Sequence, residues 1–308
     1  MPKQEQKQVT DFIVPLYING LQGRMLYMPA PTRKKREILF VYGHHSSLER
    51  WWGMMQDLNQ YGAVTMPDLP GFGGMDSFYK IGKQPTIDNL ADYLATFIKL
   101  RYKRKKVTIV GLSFGFVIVT RMLQKYPDLV KKVDLLISAV GFVHRGDFTF
   151  SRTRHFLYTY GALTFSAGIT AILFRNIALN PSVLRLAYAK THNAKHKFKG
   201  TTKAEHKALM RFEIYLWHIN DVRTHWSTLY QFMRLDNCKQ RIDLPVWHIS
   251  VDADTYFDNN IVEQHMRVVF SDFHVVKAHM DTHAPSILAN KEDAAKMIPK
   301  KLRQLLKS

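Results

Sequence analysis

The chain has 308 residues, 46% of them hydrophobic, and a formal net charge of +19. That composition excludes a disordered or collagen-like chain and leaves room for one large α/β core, with or without an inserted subdomain. Cys238 is the only cysteine, which excludes an intrachain disulfide and gives no reason to expect an oxidising compartment. The opening stretch, Met1 to Gln8, is polar and lacks the apolar run of a signal peptide, so a cytoplasmic location is expected.

In chain order, 12–18 and 25–28 read as two strands of an edge hairpin, joined by a turn at Asn19-Gly20. A third strand over 37–42 ends at Gly43-His44-His45-Ser46-Ser47, where either serine offers an N-cap for a helix over 48–61. A short strand over 63–67 leads into Asp68-Leu69-Pro70-Gly71-Phe72-Gly73-Gly74, and an amphipathic helix follows over 86–100. The run Val107-Thr108-Ile109-Val110 is a buried strand that passes directly into Gly111-Leu112-Ser113-Phe114-Gly115 and then into an apolar helix reaching about Lys125. Another strand covers 133–140. From Glu37 to Val140 strand and helix therefore alternate, the signature of a parallel sheet with crossover helices. Residues 144–237 break the alternation with helices over 154–174, 181–189, 203–220 and 222–234. Strands over 244–250 and 273–276 and a closing helix over 292–306 resume it.

Gly-x-Ser-x-Gly between a strand and a helix forces the backbone to reverse within a few residues. The serine hydroxyl is thereby lifted to a helix N-terminus, where free N–H groups favour developing negative charge. A serine hydroxyl is a poor nucleophile unless a base lies within reach and an acid orients that base.

Four motifs in this order resemble the α/β-hydrolase superfamily: Tyr42-Gly43-His44, Asp68-Leu69-Pro70-Gly71-Phe72-Gly73, Gly111-Leu112-Ser113-Phe114-Gly115, and Pro245-Val246 running to Asp252-Ala253-Asp254. The resemblance implies an α/β-hydrolase fold, a mostly parallel central sheet flanked by helices with an inserted helical cap. Core segments 1–143 and 238–308 would enclose a cap at 144–237. It further implies a triad of Ser113 as nucleophile, His283 as base and Asp254 as orienting acid, with an oxyanion hole from the backbone N–H groups of His44 and Phe114. His283-Ala284-Pro285 reproduces the family's His-x-Pro shortly before the last helix, whereas Ala278-His279 imitates its Gly-His; His283 is favoured over His279. Asp254 is favoured over Asp252 and Asp258. Tyr42 stands where the family usually carries histidine, and Phe116 is bulkier than the usual residue after the elbow; both put loop packing in question.

The sequence shows neither a metal-ligand cluster nor a dinucleotide fingerprint, and no metal or organic cofactor is expected. Between Phe148 and Ala204 there is no acidic residue, while arginine and lysine recur. The resemblance implies a small acyl substrate as partner, an anionic one if the cap charge faces the cleft and one without charge preference if the cap lysines face outward, and no specific nucleic-acid motif accompanies the charge. Residues 155–174 carry no formal charge on Asp, Glu, Lys or Arg. An apolar cap wall over a substrate cavity is the preferred reading, shallow membrane contact through the cap the second, and a transmembrane helix the third. The expected activity is hydrolysis of an ester or similar acyl compound. An acyltransferase or amide-bond hydrolase on the same triad, or a catalytically silent binding protein on the same fold, are the alternatives. The sequence leaves the acyl group and oligomeric state open.

Overall fold

The computed structural model describes residues 8–190, 202–252, 254–280, 283 and 291–307. Among them one eight-stranded sheet has the order β1-β2-β4-β3-β5-β6-β7-β8. Its strands are β1 (Ile13–Ile18), β2 (Leu21–Met28), β3 (Arg36–Val41), β4 (Gly62–Pro67), β5 (Val107–Leu112), β6 (Val133–Ala139), β7 (Ile242–Val251) and β8 (Phe270–Ala278). β1 and β2 form the edge hairpin, turning through Asn19 and Gly20 at φ 52° and 81°, as a tight two-residue hairpin requires. β2 also runs antiparallel to β4, and every later pairing is parallel. All of β5 is buried, which is why its sequence is a continuous apolar run and does not alternate.

The sheet is flanked by α1 (Trp52–Asn59), α2 (Ile87–Arg101), α3 (Phe114–Lys125), α9 (Asn259–Val269), α10 (Lys291–Ala295) and α11 (Lys300–Lys307). Between β6 and β7 lie α4 (Arg152–Ser166), α5 (Gly168–Ile177), α6 (Pro181–Lys190), α7 (Lys203–Ile219) and α8 (Val222–Phe232). The chain enters this helical interval at His144 and leaves it at Asp236, and these two residues pair in an isolated antiparallel bridge. The interval has its own small cluster of Ala171, Leu179, Leu184 and Val222, separate from the main core.

Three helices expected as single pieces are broken. Residues 48–61 divide into a 3-10 turn, Leu48–Trp51, and α1. Ser47 takes the N-cap position without a side-chain cap, and the Ser46 hydroxyl accepts from Trp51 Nε1 at 2.8 Å. The helix expected over 154–174 turns by 99° between α4 and α5. Ala167 there is extended, at ψ 144°. Around it Ser166 Oγ donates to Leu163 O at 2.7 Å and Thr170 Oγ1 to Ala167 O at 3.0 Å, and such hydroxyl bonds compete with the helical ladder. The closing helix splits at Pro299, which lacks an N–H and disfavours helical geometry at Ile298. α9, absent from the sequence reading, begins at Asp258, whose Oδ1 accepts from Asn260 N at 2.9 Å and Ile261 N at 3.3 Å.

Candidate active site

Ser113 ends β5 and caps α3 with φ 50° and ψ −118°, a sparsely populated conformation that persists only where the surroundings impose it. Its N–H donates to Ala139 O at 2.9 Å and its carbonyl accepts from Phe116 N at 3.0 Å, so both sides of the turn are fixed. At Gly115 a Cβ would stand 2.2 Å from Val41 O and 2.5 Å from Tyr42 O; only glycine lets the helix approach β3 this closely. Phe116 is fully buried, and the room for its ring comes from Gly141, whose added Cβ would lie 2.6 Å from Phe116 Cδ1. Val140, immediately before it, is held at φ 45°. Strain is thus concentrated at the carboxyl ends of β5 and β6.

Asp254 and His283 are joined directly, Oδ2 to Nδ1 at 2.7 Å, with the carboxylate side chain 2% exposed and the imidazole 16%. The same aspartate caps its own turn, Oδ1 accepting from Tyr256 N at 2.8 Å and from Phe257 N at 3.3 Å. The contact with His283 and the turn cap thus coexist on Asp254, one on each oxygen. Asp252 is exposed and pairs with Lys277 at 3.2 Å, Asp258 caps α9, and His279 is exposed. Among the described residues no hydrogen bond links the Ser113 hydroxyl to His283.

A chain of rings connects the elbow to the imidazole. Phe114 meets Phe232 at 5.4 Å, Phe232 meets Phe148 at 6.0 Å, Phe148 meets Phe257 at 4.9 Å, and Phe257 meets the His283 ring at 5.3 Å. Phe232 lies on α8 and Phe148 at the entry to the helical interval, so the interval's inner side lies against the elbow. Nothing in the periodicity of the sequence announces this wall, because its members come from four separate segments.

His44 follows β3 and lies beside Phe114, ring centroids 5.5 Å apart. Its Nε2–H donates to Thr228 Oγ1 at 2.9 Å and to the His225 carbonyl at 3.2 Å. Burial, with His45 nearby as a second cause, pushes its pKa down to about 3, so the ring is a neutral donor. Tyr42, in place of the family's histidine, is buried and donates to Asp68 Oδ1 at 2.9 Å while accepting from Leu69 N at 2.8 Å. Arg24 Nε donates to Asp68 Oδ2 at 3.2 Å and its Nη1 to Glu49 Oε1 at 2.7 Å. Tyr93 donates to Asp68 O at 2.8 Å. Burial pushes the Asp68 carboxyl up, opposed by Arg24 and by the Tyr42 hydrogen bond. The tyrosine therefore ties the loop after β3 to the 68–74 loop. Sequence reasoning also missed Asn220, whose Oδ1 accepts from Gly73 N at 2.8 Å, and Asp221, whose N–H donates to Gly71 O at 2.8 Å. Together they fasten the α7–α8 junction to the same loop.

His248 on β7 is buried and bonded through Nδ1 to Ser138 Oγ at 2.9 Å; burial lowers its pKa from 6.5 to about 4. A histidine whose folded pKa is depressed binds its proton more readily when unfolded, so stability is full above the unfolded pKa and drains away between about pH 6.5 and 4. His248→Gln, which can keep the bond to Ser138, is expected to lose less Tm than wild type across that window. Equal Tm losses in the two proteins would refute the assignment.

Among the described residues one group has metal-ligand geometry: His144, Asp147 and His265 bring ligand atoms within 4.8 Å of one another. Asp147 is already committed. Its Oδ2 accepts from the N–H groups of Val143 and His144, each at 2.9 Å, and its Oδ1 pairs with His265 Nδ1 at 2.5 Å. The group acts as a polar clasp at the entry to the helical interval.

The sheet order, the strained serine between strand and helix, and helices inserted after β6 define the class: the chain has the α/β-hydrolase fold. A family model described as alpha/beta hydrolase fold matches residues 37–158. Similar solved structures include a bromoperoxidase from Bacillus anthracis (17% identity, TM-score 0.65, covering 96% of this chain and 100% of that one). An esterase from Thermogutta terrifontis (14%, 0.64, 96% and 99%) and an enol-lactonase from Burkholderia xenovorans (14%, 0.66, 96% and 100%) are also similar. Among curated proteins the chain is similar to Protein ABHD8 of Homo sapiens and of Bos taurus, 31% identical over 100 residues, 32% of this chain. The match spans only 22% and 23% of those two proteins.

Proposed function

We propose that the protein is a serine hydrolase of esters or similar acyl compounds, and the observation that carries this reading is the strained Ser113 at the start of α3. Ser113 attacks the acyl carbonyl. His283, with Nδ1 engaged by Asp254, uses Nε2 to take the serine proton and return it to the leaving group. The N–H groups of Phe114 and His44 receive the oxyanion, where main-chain donors contribute several kcal/mol to transition-state stabilisation. The ring chain from Phe114 to Phe257 supports an apolar acyl group as the preferred substrate. Arg152, Arg175 and Arg185 are exposed, which supports a neutral acyl chain over the anionic one considered from charge alone. The similar folds of an esterase and an enol-lactonase are in keeping with this reading.

A silent binding protein is the second reading, favoured by the missing hydrogen bond between Ser113 and His283. A fluorophosphonate probe separates the two. Stoichiometric labelling of Ser113, blocked by prior incubation with a long-chain p-nitrophenyl ester, is expected of the hydrolase. An unlabelled Ser113 in the folded protein supports the binding role. Product analysis with an added alcohol distinguishes hydrolysis from acyl transfer.

A further inference from the structure

The outermost helices of the insert are built inside out. On α5, Ile169, Ile172 and Ile177 are 77%, 61% and 67% exposed, while the buried position is Ala171 at 6%. The isoleucines fall three and eight residues from the first, which places them on one helical stripe. Leu157 and Tyr160 on α4 (64% and 54% exposed) and Leu186 on α6 (57%) extend the same apolar character outward. A helix packed only for a water-facing surface would turn such side chains inward, and exposed apolar patches of this kind mark interaction sites.

The charge around the patch is of one sign. α4, α5 and α6 contain no Asp or Glu, and Arg152, Arg175 and Arg185 stand exposed among the apolar side chains. We propose that this outer face is a docking surface for an anionic phospholipid bilayer. Apolar side chains enter the headgroup boundary, and arginines meet the lipid phosphates and carboxylates. A second copy of this chain is a poor occupant, because face-to-face pairing would bring the same arginines together.

The helices lie on the surface and do not cross it. α4 has 15 residues and α5 has 10, so they are about 22 and 15 Å long at ~1.5 Å per residue, short of the ~30 Å hydrocarbon core. The 99° bend between them prevents one continuous span, and among the described residues no single helix is long and apolar enough to cross a membrane. The proposal does not depend on Ser113 being a nucleophile.

The test is sedimentation of the full chain with sucrose-loaded vesicles, made either of phosphatidylcholine alone or of phosphatidylcholine and phosphatidylserine in equal amounts. The protein is expected to pellet with the anionic vesicles and to remain in solution with the neutral ones. Ile169→Ser/Ile172→Ser is expected to weaken partition by about tenfold, and Arg175→Gln/Arg185→Gln by about tenfold. All four positions are exposed, so an unchanged Tm certifies the fold of each variant; Leu157→Ser/Leu186→Ser serves if one of them fails that check. Lys103→Gln/Arg104→Gln, on the basic run before β5, and Ser113→Ala are expected to bind like wild type. The proposal is overturned if wild type ignores both vesicle types. It is also overturned if the variant at 103 and 104 loses binding while the cap variants keep it, or if the isoleucine variant dissolves a wild-type dimer.

Discussion

Ser113→Ala is expected to lower ester hydrolysis by at least about a thousandfold, the usual result of removing a triad nucleophile, and to leave Tm close to wild type. The fold should survive because the backbone bonds that hold the elbow, to Ala139 O and from Phe116 N, do not involve the hydroxyl. Alanine has the same Cβ that serine already tolerates at φ 50°. Rates are to be measured with p-nitrophenyl esters of increasing chain length, beside a thermal melt. Residual activity above about a tenth of wild type, equivalent to about 1.4 kcal/mol of barrier, would place the nucleophile elsewhere.

His283→Ala is the second large effect, expected to reduce kcat by about a thousandfold or more, against a change within about twofold for His279→Ala, an exposed surface position. The contrast rests on Asp254, which grips the His283 imidazole at 2.7 Å while also capping the 254–257 turn. Added imidazole should return part of the lost rate in the His283 variant. Equal losses at the two histidines, or a loss confined to His279, would reverse the assignment of the base.

The sheet was legible because its strands are buried: β5 and β3 are apolar runs, and the alternation with helices dictates parallel crossovers. The elbow was legible for a different reason, since Gly115 must lie against two carbonyls at the end of β3 and only one residue type permits that. The breaks at Ala167 and Pro299 show where periodicity misleads. An apolar pattern continues across both, while local hydroxyl bonds at the first and a missing N–H at the second end the helix. α9 escaped notice although Asp258 carries a capping signal. The aromatic chain from Phe114 to His283 and the Tyr42–Asp68–Arg24 network lay beyond any sequence pattern, because their members meet only after folding.

The helices between β6 and β7 are attached very unequally. α8 and its junction with α7 are pinned to the glycine loop after β4 by Asn220 and Asp221 and to His44 by Thr228. α5 and α6 are held by a small apolar cluster that they share with Val222 of α8. The inner layer is thus committed to the geometry around the elbow. The outward-facing side chains of α4, α5 and α6 can therefore change what they meet outside while the inner faces, α4's against α8 included, stay in register with the machinery beneath.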